Sequence, residues 1–279
     1  MTVLSRRRLL ATAGVAAPWI FLRPRVGLAG LLENLFDRPE LKATKPITPN
    51  DEFYVTSYRS PPTIRLPEWS LTIRSLVDQP LTLDYTGPLA KPTSSQIVTL
   101  ECVGNTVAGE FMSTAYWEGV PLRTLMEEAI VGAGAYDVVF RAADGFSDSI
   151  RVERALTGDV LIAHRMNGVP LPQDHGFPAR VIVPGHYGMK SVQWLTEIEL
   201  VDRDYKGYYQ QKGWTEEAVI KTMSRIDLPR HGATLRGPQQ HLQGIAFAGM
   251  RGISRVEIST DGGEQWVAAK LAEPLEISC

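Results

Sequence analysis

The stretch "ARVIVPGHYGMKSVQWLTEIELV" (residues 179–201) sets the reading of this chain. "ARVIVPG" (179–185) reads as a short apolar strand closed by a Pro-Gly turn, and "SVQWLTEIELV" (191–201) reads as a second strand. The same texture extends in both directions. "WSLTIRSLVDQPLTLDY" (69–85) alternates apolar and polar residues and breaks at Asp78-Gln79-Pro80, the pattern of two strands joined by a turn. "YDVVFRAADGFSDSI" (136–150) reads as a strand ending in a turn, and "SSQIVTL" (94–100) as another, which leaves Cys102 opening the loop that follows. Helical spacing is clear in "GVPLRTLMEEAIV" (119–131). Pro121 stands where a first turn accepts it, and Leu122, Leu125, Met126 and Ala129 share one face.

Composition fits this picture. With 279 residues there is room for one large domain or two ordinary ones. An apolar fraction of 44% and a charged fraction of 22% belong to a soluble globular protein. The net charge of −2, with no long basic tract, argues against a nucleic-acid partner. Scattered as punctuation, the 24 glycines and 19 prolines point to many short elements rather than a helical bundle.

Both ends carry separate signals. "MTVLSRRRLLATAGVAAPWIFLRPRVGLAG" (1–30) places Arg6, Arg7 and Arg8 before an apolar run that is short for a membrane span. "SRRRLL" is similar to a twin-arginine signal, so export by that route is expected and the segment is set aside from the fold. After "KTMSRIDLP" (221–229) the chain turns all-β. "GISRVEISTDGGEQWVAAKL" (252–271) reads as a hairpin turned at Asp261-Gly262-Gly263. The module has about half the roughly 100 residues of a sandwich domain and ends in a strand-like segment, so it is expected to be cut short here.

The chain has only two cysteines, Cys102 and Cys279, and no C-x-x-C pair, which excludes a disulfide framework and the usual zinc, haem and dithiol motifs. Cys102, in "VTLECVGNTV" (98–107), is then a lone thiol. The bland reading of a lone thiol is a small buried hydrophobe. A reactive reading needs a thiolate, either as nucleophile with a histidine base or as a metal ligand. Five histidines leave the first open. A single soft sulfur also suits a metal whose other ligands arrive with a cofactor.

The order of further motifs narrows this. "TPNDEFYV" (48–55), "TLECVGN" (99–105), "WEGVPLRTLM" (117–126), "MNGVPLPQDHGFPARVIVPGHYGMKSVQWLTEIEL" (166–200) and "DYKGYYQQKGW" (204–214) follow one another, then "SRIDLP" and "GISRVEISTDGGEQW". In this series the chain resembles the sulfite oxidase family of molybdenum enzymes. The resemblance implies an α+β, β-rich molybdopterin-binding domain over 40–222, then a partial immunoglobulin-like β-sandwich used for dimerisation over 223–279. It implies a molybdenum cofactor whose pyranopterin dithiolene supplies two sulfurs, with Cys102 as the protein ligand. It also implies that Tyr205 is the active-site tyrosine, and that Tyr54, Asp144, His175, Arg180, Lys190, Ser191 and Gln193 hold the cofactor. Arg180 is chemically apt, because a guanidinium meets a phosphate with two parallel hydrogen bonds. His186, in "PGHYG" (184–188), sits on a loop that could face the cofactor, with its role open.

The pattern also departs from the family. Thr56 and Val107 stand where sulfite-oxidising members carry arginines, and Gln193 replaces a lysine. Each missing charge-assisted hydrogen bond to a desolvated anion forgoes about 1.5–3 kcal/mol, so a less basic pocket than sulfite requires is expected. The expected activity is two-electron oxygen-atom transfer on a small substrate, as a sulfite dehydrogenase or as an S- or N-oxide reductase. No haem motif occurs, so electrons are expected to pass to or from a separate cytochrome or membrane haem subunit. The reading from another class is an exported, non-catalytic protein that keeps the fold.

Overall fold

Fourteen strands and a few short helices make up the computed structural model, which describes residues 45–89, 91–229, 231–235, 240–273 and 275. The segment read as a signal (1–30) and Cys279 lie outside the described residues. In chain order the strands are β1 (Leu71–Ser75), β2 (Leu81–Leu83), β3 (Ser94–Glu101), β4 (Met112–Pro121), β5 (Asp137–Ala142), β6 (Ser147–Arg151) and β7 (Leu161–Met166). Then follow β8 (Val169–Pro170), β9 (Arg180–Ile182), β10 (Leu195–Val201), β11 (Met223–Leu228), β12 (Gln243–Phe247), β13 (Glu257–Ile258) and β14 (Val267–Ala268). Of the described residues, 45–253 belong to one compact unit and Ser254–Ala272 to another.

In the larger unit one sheet runs β2-β1-β10-β5-β6. Only the β1–β10 pairing in it is parallel. A second sheet runs β3-β4-β7-β8, with β9 added beside β7. Side chains alternate along a strand, and β7 shows what that does here. Ile162 joins a core with Ile73, Phe140, Leu195 and Ile198 of the first sheet, whereas Leu161 and Ala163 join a second core around Trp117. The helix Leu122–Ala129 buries Leu122, Leu125, Met126 and Ala129 against the first core, the face that its spacing predicts. Each large side chain so buried is worth about 1.5–3 kcal/mol.

The β9 strand divides in the same way. Val181 enters the first core and Ile182 the second. Arg180 therefore points to the Trp117 side, and its guanidinium carbon lies 5.1 Å from the Trp117 ring centroid. A cation is thus placed inside an apolar layer by strand periodicity alone.

Three expectations change in detail. "SVQWLTEIELV" forms a strand only from Leu195, because Trp194 takes a left-handed backbone (φ 49°) that takes 191–194 out of the pleat. "YDVVFRAADGFSDSI" is a complete hairpin, β5 and β6, rather than one strand. In the smaller unit the β13–β14 pairing is short. Its loop is pinned by Asp261 Oδ1, which accepts hydrogen bonds from Ser259 Oγ and the amides of Glu264 and Gln265.

Candidate functional site

Cys102 follows from the register of β3. Val98 and Leu100 face the second core, and the same alternation carries the side chain two residues further to that side. The Cys102 amide bonds the Phe111 carbonyl at 3.0 Å, one step beyond the last β3–β4 pair, Glu101 with Met112. Asn105 braces the loop that follows. Its amide N–H donates to the Cys102 carbonyl (2.9 Å), its Oδ1 accepts from the Phe111 amide (3.1 Å), and its Nδ2 donates to Glu101 Oε1 (3.3 Å). Gly109 makes this possible, since a Cβ there would lie 2.4 Å from Asn105 Oδ1.

Cys102 opens onto a cavity of about 200 Å3. That is more than ten times the ~10–15 Å3 that admits one water. Tyr54, Asp144, Arg180, Ser191 and Gln193 line it together with Cys102, so the structure brings these sequence-predicted residues to one place. Thr56 lines it too, whereas Val107 is 79% exposed and is not among the lining residues.

Arg180 is the unusual group. It is buried, and its Nη1 and Nη2 donate to the carbonyls of His175 (2.9 Å) and Ser191 (2.8 Å). Its Nε has no partner among the described residues. No carboxylate pairs with it there either, and burial pulls its pKa down to about 10. Burying a cation unpaired is costly, and an anion or acceptor placed against Nε would offset part of that cost.

Tyr54 lies close by, and its hydroxyl would be 2.8 Å from a Cβ at Gly188; only glycine leaves that hydroxyl its place. Burial first, then the nearby Cys102, raises the Tyr54 hydroxyl well above its ordinary value. Asp144 caps the β5–β6 turn by accepting from the Phe146 amide at 2.9 Å. Ser191 Oγ accepts from the Val183 amide (3.1 Å), and Gln193 Nε2 donates to the Asp174 carbonyl (3.0 Å).

Three predicted residues are engaged elsewhere and are not among the lining residues. Tyr205 bonds Ser147 Oγ at 2.8 Å and accepts from Arg141 Nη1 at 3.4 Å, which holds it against β5 and β6. Lys190 is buried against Asp148 (2.7 Å) and donates to the Ser149 carbonyl (2.8 Å). His175 donates from Nε2 to the Asn50 carbonyl at 2.7 Å, and burial lowers its pKa. His186 lies in a separate depression with Arg154, Asp159 and Arg251.

Sequence reasoning missed Tyr209, which lines the cavity and stacks on Trp214 with centroids 4.5 Å apart. Burial, then Cys102, raises its hydroxyl, so it stays protonated at neutral pH as a hydrogen-bond donor. The doublet Tyr208-Tyr209 in "GYYQ" was the available signal, but it does not say which ring turns inward.

The chain matches known proteins. A family model described as an oxidoreductase molybdopterin binding domain matches residues 58–209, and one described as a Mo-co oxidoreductase dimerisation domain matches 215–277. The chain is 32% identical to mitochondrial sulfite oxidase of Homo sapiens, over 84% of this chain and 51% of that protein. It is 30% identical to sulfite oxidase of Arabidopsis thaliana, over 82% of this chain and 71% of that one. It therefore spans about half the length of the human relative. The solved structure of the sulfane dehydrogenase SoxCD from Paracoccus pantotrophus shares the fold, with a TM-score of 0.74 at 23% identity. That match covers 87% of this chain and 71% of the SoxCD chain. This chain belongs to the sulfite oxidase family of molybdopterin-binding oxidoreductases.

Proposed function

We propose that this protein carries out two-electron oxygen-atom transfer on a small substrate, with Cys102 as the protein ligand of the cofactor's molybdenum. The observation that carries this reading is one cavity holding both a half-buried thiol, Cys102, and a buried guanidinium without a carboxylate, Arg180. The residues present fit the cofactor. Among the described residues no group of three or more His, Cys, Asp or Glu is placed to hold a metal. One thiolate therefore suits a metal whose remaining ligands come with the pterin. The unpartnered Arg180 Nε offers a donor to a phosphate or to the pterin's polar edge.

Bound there, the cofactor supplies the two-electron chemistry and the exchange of one oxygen atom. The chain's own residues do the rest. Ser191 and Gln193 hold backbone at the wall, and Asp144 fixes the turn that presents Phe146. Tyr209, a protonated hydroxyl near Cys102, takes the role expected of Tyr205 and donates to substrate oxygen. His175 and Lys190 act indirectly, by fixing the segments that carry Arg180 and the 188–190 turn.

The direction follows from charge. Arg180 is the only lysine or arginine among the lining residues, and Thr56 stands at the wall where an arginine would grip sulfite. This favours reduction of an S- or N-oxide. Two electrons and two protons convert the oxide to its parent compound and water, and a separate one-electron carrier, a cytochrome or membrane haem subunit, delivers the electrons. The catalytic domain is assigned to 40–222 and a dimerisation domain to 223–279, with export through the twin-arginine route.

Protein loaded in a host that makes the cofactor can be assayed for sulfoxide reduction with reduced viologen and for sulfite oxidation with ferricyanide. Faster sulfoxide turnover is expected. Efficient sulfite oxidation at low substrate concentration would reverse the assignment.

A further inference from the structure

We infer that the cavity wall built by Tyr58, Phe146, Tyr209 and Trp214 recognises the apolar body of a neutral organic substrate, an inference that rests on the oxygen-transfer reading above. Two groups of rings meet this cavity. In one, Phe53 and Tyr54 line it 5.5 Å apart, and Trp117 (5.7 Å) and His175 (5.4 Å) stand behind Phe53. The other is a continuous cluster: Tyr209 on Trp214 (4.5 Å), Phe146 against Tyr209 (5.7 Å) and against Tyr58 (6.2 Å). Tyr208 backs it, 4.5 Å from Tyr58 and 5.1 Å from Tyr209. Cys102 lines the same cavity as Tyr54 of the first group and Tyr209 of the second.

The second set has the chemistry of a binding surface rather than an anion site. Two cations stand near it, and both are laid against rings. Arg59 lies over Tyr58 at 4.9 Å and Lys212 over Tyr208 at 4.4 Å, and neither is among the residues that line the cavity. A sulfite ion against this wall would leave water while the two nearest cations are already laid against rings and Arg180 is bonded to two carbonyls. An aryl or branched alkyl group instead gains ring-on-ring contact, and a neutral sulfur beside it gains sulfur–aromatic contact. Trp214 is 39% exposed, so the wall reaches solvent and can receive a body larger than the reacting group.

Isothermal titration of oxidised, cofactor-loaded protein with methyl phenyl sulfoxide, dimethyl sulfoxide and sulfite tests this. Methyl phenyl sulfoxide should bind at least about tenfold more tightly than either of the others. Tyr58→Ala and Trp214→Leu should each weaken it by about tenfold, or about 1.4 kcal/mol, and leave dimethyl sulfoxide binding unchanged. Partly exposed Trp214 keeps the test usable if Tyr58→Ala folds poorly. Sulfite or dimethyl sulfoxide binding as tightly as the aryl compound would overturn the inference, and so would unchanged affinity in both variants. Metal content in Cys102→Ser is read separately. Retention there sinks the ligand assignment and leaves the binding result standing.

Discussion

Lys190 Nζ lies 2.7 Å from Asp148 Oδ1, with the two side chains 4% and 0% exposed. Gln210 Nε2 donates to both oxygens of the same carboxylate (3.1 and 3.2 Å), so β6 and the turns at 188–190 and 210–212 meet at one buried charge pair. Removing one partner strands the other charge, which typically costs about 3–5 kcal/mol. Lys190→Met is expected to lower the unfolding free energy by about that amount. In Lys190→Met/Asp148→Leu the loss should be well below the sum of the single changes. Urea denaturation of cofactor-free protein measures both.

Arg180 should behave in the opposite way. Its buried guanidinium has no carboxylate in the cofactor-free protein, so that state bears the cost of its desolvation. Arg180→Met is expected to leave cofactor-free stability unchanged or higher by about 1 kcal/mol, because lost bonds to two carbonyls offset part of the relief. Pterin content, read by fluorescence after oxidation and release, should fall sharply in the same variant. Retention of the full pterin complement would remove Arg180 from the cofactor site.

The tyrosines separate by position. Tyr209 lines the cavity and Tyr205 is tied to Ser147 and Arg141. Tyr209→Phe should lower kcat by about a hundredfold, the usual loss of a donor aimed at a reacting oxygen, with little change in KM. The loss in Tyr205→Phe should be smaller. Steady-state kinetics on matched metal loadings decides between them.

Acid should destabilise the protein through its histidines. Burial holds His164, His175 and His186 below the ordinary value of 6.5, and both ring nitrogens of His164 lack partners among the described residues. They stay neutral in the folded chain while the unfolded chain takes up protons. This stability is therefore fully present above about pH 6.5 and is lost as pH falls toward the depressed native values. The carboxyls of Asp137 and Asp148, raised by burial, push the other way. The histidine share is then a difference between proteins: urea midpoints between about pH 7.5 and 5.5 should fall less steeply in His164→Leu than in wild type.

What the sequence discloses here is local period. Alternation in "WSLTIRSLVDQPLTLDY" gives β1 and β2, and the spacing of Leu122, Leu125, Met126 and Ala129 gives the helix and its buried face. Arg180 stands out because it is a cation inside an apolar run. Long-range pairing stays hidden. Nothing near Lys190 announces that its partner is Asp148 on another strand, so a buried ion pair and a cofactor contact look alike in "GMKSVQW". The hydrogen bonds of Tyr205 are hidden for the same reason, because Ser147 and Arg141 lie far from it in sequence. The cavity wall at 191–194 reads as strand in the sequence, since its departure depends on the left-handed backbone at Trp194, which residue type does not predict.

The oxygen transfer proposed for the cavity depends on the Cys102 sulfur as ligand of the cofactor's metal. X-ray absorption at the molybdenum edge tests it most directly, on wild type and on Cys102→Ser loaded in the same host. The variant, where metal remains, should show one sulfur scatterer fewer than wild type, replaced by a lighter atom. An identical sulfur count in the two proteins, with full molybdenum in both, would contradict it.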